Sequence, residues 1–143
     1  MSPRRLDPSV VEIRLTTMSR LLDDLERFPI GDLEHDARSR YAVERVLTQL
    51  VELATSVNEH VVGAVLHRTA TSYRDSFLLA AECGLIDETL RDDLLPSIGM
   101  RNVLVHEYVR VDLRLVAAAV PLALDGYRRY VRAAAAFVAD RDT

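Results

Sequence analysis

The sequence predicts an all-α protein, a compact bundle of four or five helices, on three observations. Alanine and leucine abound while glycine occupies five positions and aromatic residues make up only 6% of the chain, a balance that favours helix over sheet. Apolar residues recur at three- and four-residue steps through most of the chain. Capping residues stand where several of those periodic runs begin.

The first helix is expected from Pro8, a good first-turn residue, with Val10, Ile13, Thr17, Leu21, Leu25 and Phe28 along one stripe until Pro29 and Gly31 stop it. A longer second helix follows the acidic cluster Asp32 to Asp36. Its predicted face carries Val43, Val46, Leu47, Leu50, Leu53, Ala54, Val57, Val61 and Val65; it should end near His67 or Arg68, with Gly63 a weak point. Ser72 and Asp75 have the spacing of a capping box and open the third helix, which presents Tyr73, Phe77 and Ala80 or Ala81 to one side and closes at Gly84. Asp87 is a natural N-cap for a fourth helix running through Leu90 and Leu94 to Tyr108, kinked or restarted at Pro96, which cannot donate to residue 92. Asp112 then caps a C-terminal helix with Val116, Val120, Leu124, Tyr127, Val131, Ala134 and Val138 in register and a bend at Pro121. No repeat, low-complexity tract or linker divides the chain, so residues 1–143 are expected to form one domain.

Composition narrows the function. All 18 basic residues are arginine and the net charge is −4, which argues against a broadly basic surface that coats nucleic acid and confines any RNA contact to a local patch. Such a patch is available between Arg101 and Arg132, where six arginines face only Glu107, Asp112 and Asp125. The solitary Cys83 supports neither a disulfide framework nor a cysteine metal cage and fits a reducing cytoplasm. No apolar core follows the paired arginines of MSPRRLDPSV, and the longest apolar run, LVAAAVPLAL, is too short to span a bilayer. Neither a secretory leader nor a membrane span is expected.

The stretch RNVLVHEY, Arg101 to Tyr108, places four polar side chains among valines and a leucine on the fourth helix. At about 100° per residue, Asn102 and His106 share a face, Arg101 and Tyr108 nearly eclipse, and Arg101 and His106 lie about 140° apart. The arginine and histidine therefore border one another only if the guanidinium reaches round the helix or a second copy of the helix supplies its own pair. Chemically the pair suffices for RNA cleavage without metal. Histidine exchanges a proton near neutral pH and can take the one on a ribose 2′-hydroxyl; an arginine fork steadies the charge growing on phosphoryl oxygens, and Asn102 can orient one of them. Spacing alone is weak support, since a chain this rich in arginine yields an R-x4-H match by chance about every second time.

RNVLVHEY resembles the R-N-x3-H-x-Y signature of the HepT-like toxins, a branch of the all-helical HEPN superfamily. SYRDSFLLAAECGLID is similar to that family's SYR-x2-F segment, and RYAVERVLTQLVELATSVNEHVV to its long second helix, so the resemblance spans roughly residues 36 to 112. It implies a HEPN-type bundle that is homodimeric through the motif helix, and a metal-independent endoribonuclease toxin of a type VII toxin–antitoxin system. Arg101 and His106 would be catalytic, with Asn102 assisting, and no cofactor or metal would be required. It further implies a minimal nucleotidyltransferase antitoxin that attaches AMP to Tyr108, adding bulk and negative charge to a cleft made for phosphate. The rival reading is a catalytically weak HEPN module that only binds, and is adenylylated by, such a partner.

Other polar positions carry weaker signals. His60 and His67 share a helical face, but no carboxylate or cysteine stands at ligand spacing to them. Asn58, Glu59 and His60 interrupt the apolar pattern of the second helix; they are candidates for a cleft wall, and a solvated face accounts for them equally. Tyr127, Arg128, Arg129, Tyr130 and Arg132 combine cations with aromatics as an RNA contact would, although two core tyrosines on a solvated helix explain the same cluster.

Overall fold

The computed structural model describes residues 5–141, and among them five α-helices form with no strand. They are α1 (Pro8–Arg27), α2 (Ala37–Val65), α3 (Tyr73–Glu82), α4 (Glu88–His106) and α5 (Leu113–Arg141), with a single 3-10 turn at Tyr108–Arg110 between the last two. No helix among the described residues is long and apolar enough to cross a membrane.

Local chemistry sets the helix starts. Asp7, Asp36, Ser72 and Asp87 each accept a hydrogen bond from a backbone N–H in the first turn they precede, at 2.7–3.1 Å, which satisfies donors that have no partner inside the helix. The Asp75 carboxylate reaches one residue further back than a simple capping box requires, accepting from the N–H of Thr71 at 2.9 Å. At the other end of α3, Gly84 takes φ 87°. Its N–H donates to Ala81 O and that of Leu85 to Ala80 O, the paired closure that a left-handed glycine permits. His67, with φ 55°, plays the corresponding part after α2.

Helix α2 is the axis of the bundle, in contact with α1, α3, α4 and α5. Burial therefore extends beyond the predicted stripe to Val51, Thr55, Asn58 and Val62, so that α2 is covered on most of its circumference. Helix α1 has the expected bounds but a different inward face. Val11, Leu15, Met18, Leu22 and Leu25 are buried, while Ile13 is 67% exposed. Two apolar stripes compete along this segment; the one that turns inward contains only bulky apolar side chains, whereas the other includes Thr17, and packing against both α2 and α5 selects the first. Helix α5 runs unbroken through Pro121 and buries Val116, Val120, Tyr127, Ala134 and Val138 as its register predicts. Gly126 lets α4 approach closely: a Cβ there would lie 2.9 Å from Leu94 Cδ2.

A polar network crosses this core. The Tyr130 hydroxyl donates to Asn58 Oδ1 at 2.5 Å and lies 3.1 Å from Ala54 O, and Asn58 Nδ2 donates to Ser76 Oγ at 3.3 Å. All three side chains are fully buried, and their mutual bonding offsets the desolvation that each would otherwise suffer. Asn58 is therefore a core residue joining α2 to α3 and α5, and not part of a cleft wall. Tyr130→Phe removes one hydroxyl and leaves Asn58 Oδ1 unsatisfied; urea denaturation should show a loss of about 1–3 kcal/mol at constant m-value.

Burial also raises the phenol pKa values of Tyr127 and Tyr130. Unfolded tyrosines ionise near about pH 10 while these stay neutral in the fold. The associated stability is fully present below that pH and lost as pH rises toward the folded values. Urea midpoints measured across pH should hold their level with respect to these groups up to about 10 and then fall, with a shallower fall in Tyr130→Phe.

Candidate functional site

The motif sits where the core of α4 runs out. Leu90, Leu94 and Ile98 form the buried stripe of this helix, and the next positions on it, three and four residues beyond Ile98, are Arg101 and Asn102. Arg101 consequently points toward the bundle rather than away from it, and its side chain is only 14% exposed. One guanidinium nitrogen, Nη2, donates to Glu52 Oε1 on α2 at 3.5 Å, and Nη1 donates to Asn102 Oδ1 at 3.3 Å. The guanidinium carbon lies 4.6 Å from the ring centroid of Tyr73, the first residue of α3. Its Nε is buried and, among the described residues, has no hydrogen-bond partner. Three helices thus converge on one cation.

His106 is the last residue of α4. Its side chain is exposed, and among the described residues it makes no hydrogen bond. Asn102, also exposed, lies one turn before it on the same face, while Arg101 lies about 140° round the helix. One chain therefore holds a fixed cation and an accessible imidazole at the same helix end without joining them.

The expectation for Tyr108 requires correction. Helix α4 was expected to continue to Tyr108 and place it on the Arg101 stripe, but α4 stops at His106. Glu107 leaves helical geometry at φ −126° and ψ 36°, the N–H of Arg110 closes a tight turn onto Glu107 O at 2.8 Å, and Val111 is extended. Asp112 then opens α5: its side chain accepts from the N–H of Arg114 at 3.0 Å, the bond by which a residue caps a helix start. The 3-10 turn displaces the Tyr108 backbone from the stripe of Arg101, and the Tyr108 side chain lies outside the described part of the structure.

The remaining candidates have structural roles. His60 Nε2 accepts the N–H of Asp7 at 3.0 Å, tying the start of α1 to α2, and His67 serves as the left-handed residue after α2. Among the described residues no group of three or more histidine, cysteine or acidic side chains is placed to hold a metal ion. Glu59 is solvent-exposed. Tyr127 and Tyr130 are core residues. Arg128 pairs with Asp23 and Glu26, and Arg129 with Asp93 and Asp125, so this cluster braces α5 against α1 and α4 and presents no stacking platform. Sequence reasoning did not connect Glu52 or Tyr73 to the motif. The available signal was a lone carboxylate between Val51 and Leu53 on an otherwise apolar stretch.

The sequence and the fold have counterparts among known proteins. The family profile described as ribonuclease HepT-like matches residues 16–134. The chain is 28% identical over 130 residues to the tRNA nuclease HepT of Aphanizomenon flos-aquae, with 89% of this chain and 88% of that protein covered. It is 37% identical over 89 residues to the mRNA nuclease HepT of Shewanella oneidensis, covering 62% of this chain and 64% of that one. In structure it is similar to a tri-AMPylated Shewanella oneidensis HEPN toxin solved in complex with an MNT antitoxin, with a TM-score of 0.81, 22% identity, and 89% and 97% of the two chains covered. With five helices among the described residues and a profile match over most of the sequence, the chain is a member of the ribonuclease HepT-like family.

Proposed function

We propose that the chain is a metal-independent endoribonuclease toxin that acts in the cytoplasm as a homodimer and is silenced by AMP transfer to Tyr108. The observation that carries this reading is the pairing, at one end of α4, of a guanidinium fixed by its neighbours with an exposed imidazole. The nuclease names of the relatives from Aphanizomenon and Shewanella support the substrate class.

In the reaction the imidazole of His106 takes the proton of a ribose 2′-hydroxyl as that oxygen attacks the adjacent phosphorus. The P–O5′ bond breaks, the leaving 5′-oxygen takes a proton from solvent water, and a 2′,3′-cyclic phosphate remains, with the 2′-hydroxyl proton held on His106 until it passes to solvent. Arg101 stabilises the charge that accumulates on the phosphoryl oxygens, and Asn102 orients one of them. A dimer supplies what one helix cannot, because two motif helices packed together bring the Arg101 of one copy toward the His106 of the other. Its seat is the apolar groove of about 250 Å³ between α4 and α5, lined by Leu94, Pro96, Met100, Leu115, Ala119 and Leu122. In its lining Leu115 is 60% and Leu122 70% exposed, uncovered apolar surface that a partner would bury.

Purified protein shown by intact mass to be unmodified should cut RNA in the presence of EDTA and leave cyclic phosphate ends. His106→Ala should abolish cleavage with its circular dichroism unchanged; Arg101→Lys should lose much of it, because a point charge does not reproduce a bidentate fork. An unmodified wild type that cuts no RNA yet still binds its nucleotidyltransferase would establish instead the catalytically weak binding module. Light scattering should report a dimer at micromolar concentration, converted to monomer by Leu122→Asp.

The modification is tested separately. The solved HEPN toxin is tri-AMPylated and bound to its antitoxin, and Tyr108 is the motif tyrosine here. Incubation with the partner nucleotidyltransferase and ATP should add mass in multiples of one AMP residue and stop cleavage. Tyr108→Phe should keep its activity and gain no mass. Full inhibition without any mass change would mean that the antitoxin acts by covering the cleft.

A further inference from the structure

We infer that Glu52 and Tyr73 form a cradle that positions the Arg101 guanidinium for phosphate, making them positioning residues of the ribonuclease; the inference rests on the function proposed above. The starting point is the cost of the arrangement. Arg101 surrenders most of its hydration, and its Nε–H is buried without any acceptor, a loss that a side chain placed only for stability would avoid by extending into water. Something holds it inward. Two contacts do so from two different helices, and neither comes from its neighbours in sequence.

From α2, Glu52 Oε1 accepts from Nη2 at 3.5 Å. This length is at the outer limit of a hydrogen bond, so the carboxylate orients the fork through charge more than through a tight bond. Glu52 is itself 39% exposed, on the open side of the pair, and a fully buried partner would neutralise the cation more completely. From α3, the Tyr73 ring stacks at 4.6 Å from the guanidinium carbon. A ring face attracts the cation and fixes its plane while occupying none of its N–H donors. Among the described residues Nη1 meets only Asn102 Oδ1, at 3.3 Å, an acceptor that can turn toward solvent because Asn102 is exposed. The cradle thus fixes the plane of the fork from behind and from one side, and leaves its Nη1 edge to meet an incoming phosphoryl oxygen.

The experiment uses the full chain, unmodified at Tyr108, in wild type and four variants. Glu52→Gln keeps an acceptor oxygen without the charge, and Glu52→Ala removes both; Tyr73→Phe keeps the ring, and Tyr73→Leu removes its π face. Cleavage of a defined RNA is measured as kcat and KM, and the Arg101 Nε–H is followed by nitrogen-15 NMR, assigned by its absence in Arg101→Lys. We expect Glu52→Ala and Tyr73→Leu to lower kcat roughly 10- to 100-fold, as misplacement of a reacting group does, with KM changed less. Glu52→Gln should fall between Glu52→Ala and wild type, and Tyr73→Phe should stay near wild type. The Nε–H, protected from exchange in wild type, should broaden or vanish in Glu52→Ala and Tyr73→Leu and persist in Tyr73→Phe, with all variants matching wild type by circular dichroism. Unchanged kcat in Glu52→Ala overturns the inference, whether or not the NMR signal is lost. Faster cleavage in that variant also overturns it, by showing that Glu52 restrains Arg101 and does not aim it. Should wild type cut no RNA, the ribonuclease reading fails by itself. The cradle is then decided by the Nε–H signal, where persistence in Glu52→Ala and Tyr73→Leu refutes it.

Discussion

The central position of α2 is the constraint on which the rest of the structure depends. A helix touched by four others cannot be amphipathic in the ordinary sense, and α2 is buried around most of its circumference from Val43 to Gly63. Two consequences follow for its polar residues. Those in mid-core must find partners inside the protein, as Asn58 does with Tyr130 and Ser76. Those near the rim become the walls of whatever lies there, and Glu52 beside Arg101 is the instance in the candidate site. Core satisfaction and site construction are two outcomes of one packing arrangement.

Helix α4 shows how the site arises from the end of that packing. Its inward stripe is apolar as far as Ile98 and then becomes cationic at Arg101. The guanidinium stem continues the packing while its charged head meets a carboxylate and an aromatic ring, the division of labour that long basic side chains permit. Five residues later the helix stops, and the chain passes through the Tyr108–Arg110 turn before Asp112 starts α5. His106 is left at a helix end, outside the packed region and open to solvent. The cation is thus immobilised by tertiary contacts, whereas the imidazole depends only on its own helix.

Much of this was legible in the sequence, and the limits have physical causes. The helices themselves, the Ser72 and Asp87 caps, the Gly84 closure and the burial of Tyr127 in the α5 register followed from local rules of spacing and capping, which act over a few residues and need no tertiary knowledge; Tyr130, off that register, stayed open between an RNA contact and a core position. The inward face of α1 did not, because two apolar stripes with similar periodicity coexist there and only the neighbours decide between them. Arg101, Asn102 and His106 were recognisable from their types and order. Glu52 and Tyr73 were not connected to them, since they lie 49 and 28 positions before Arg101 and their meeting depends on how α2, α3 and α4 pack. The overextension of α4 to Tyr108 had a different cause. Val103, Val105 and Val109 carry no stop signal, and Glu107, where the backbone leaves the helix, is an ordinary helix former.

On the proposed ribonuclease reading, the difference between Arg101 and His106 has a chemical logic. A group that stabilises charge in a transition state works best when its dipoles and charges are already in place, since reorganising them would consume much of the benefit. A general base must meet a proton whose position changes with the substrate's pose, and contacts that are loose in the free protein can tighten on binding. Arg101 has the first property, through Glu52 and Tyr73; His106, at the exposed end of α4, has the second. The angle that separates them on one helix then carries meaning. A single helix that held both side chains in contact would pair a cation with the base and disfavour the protonated imidazole that catalysis must form. Placing them on different faces, to be joined only across two copies or by a bound phosphate, keeps the charges apart until a substrate with negative charge lies between them.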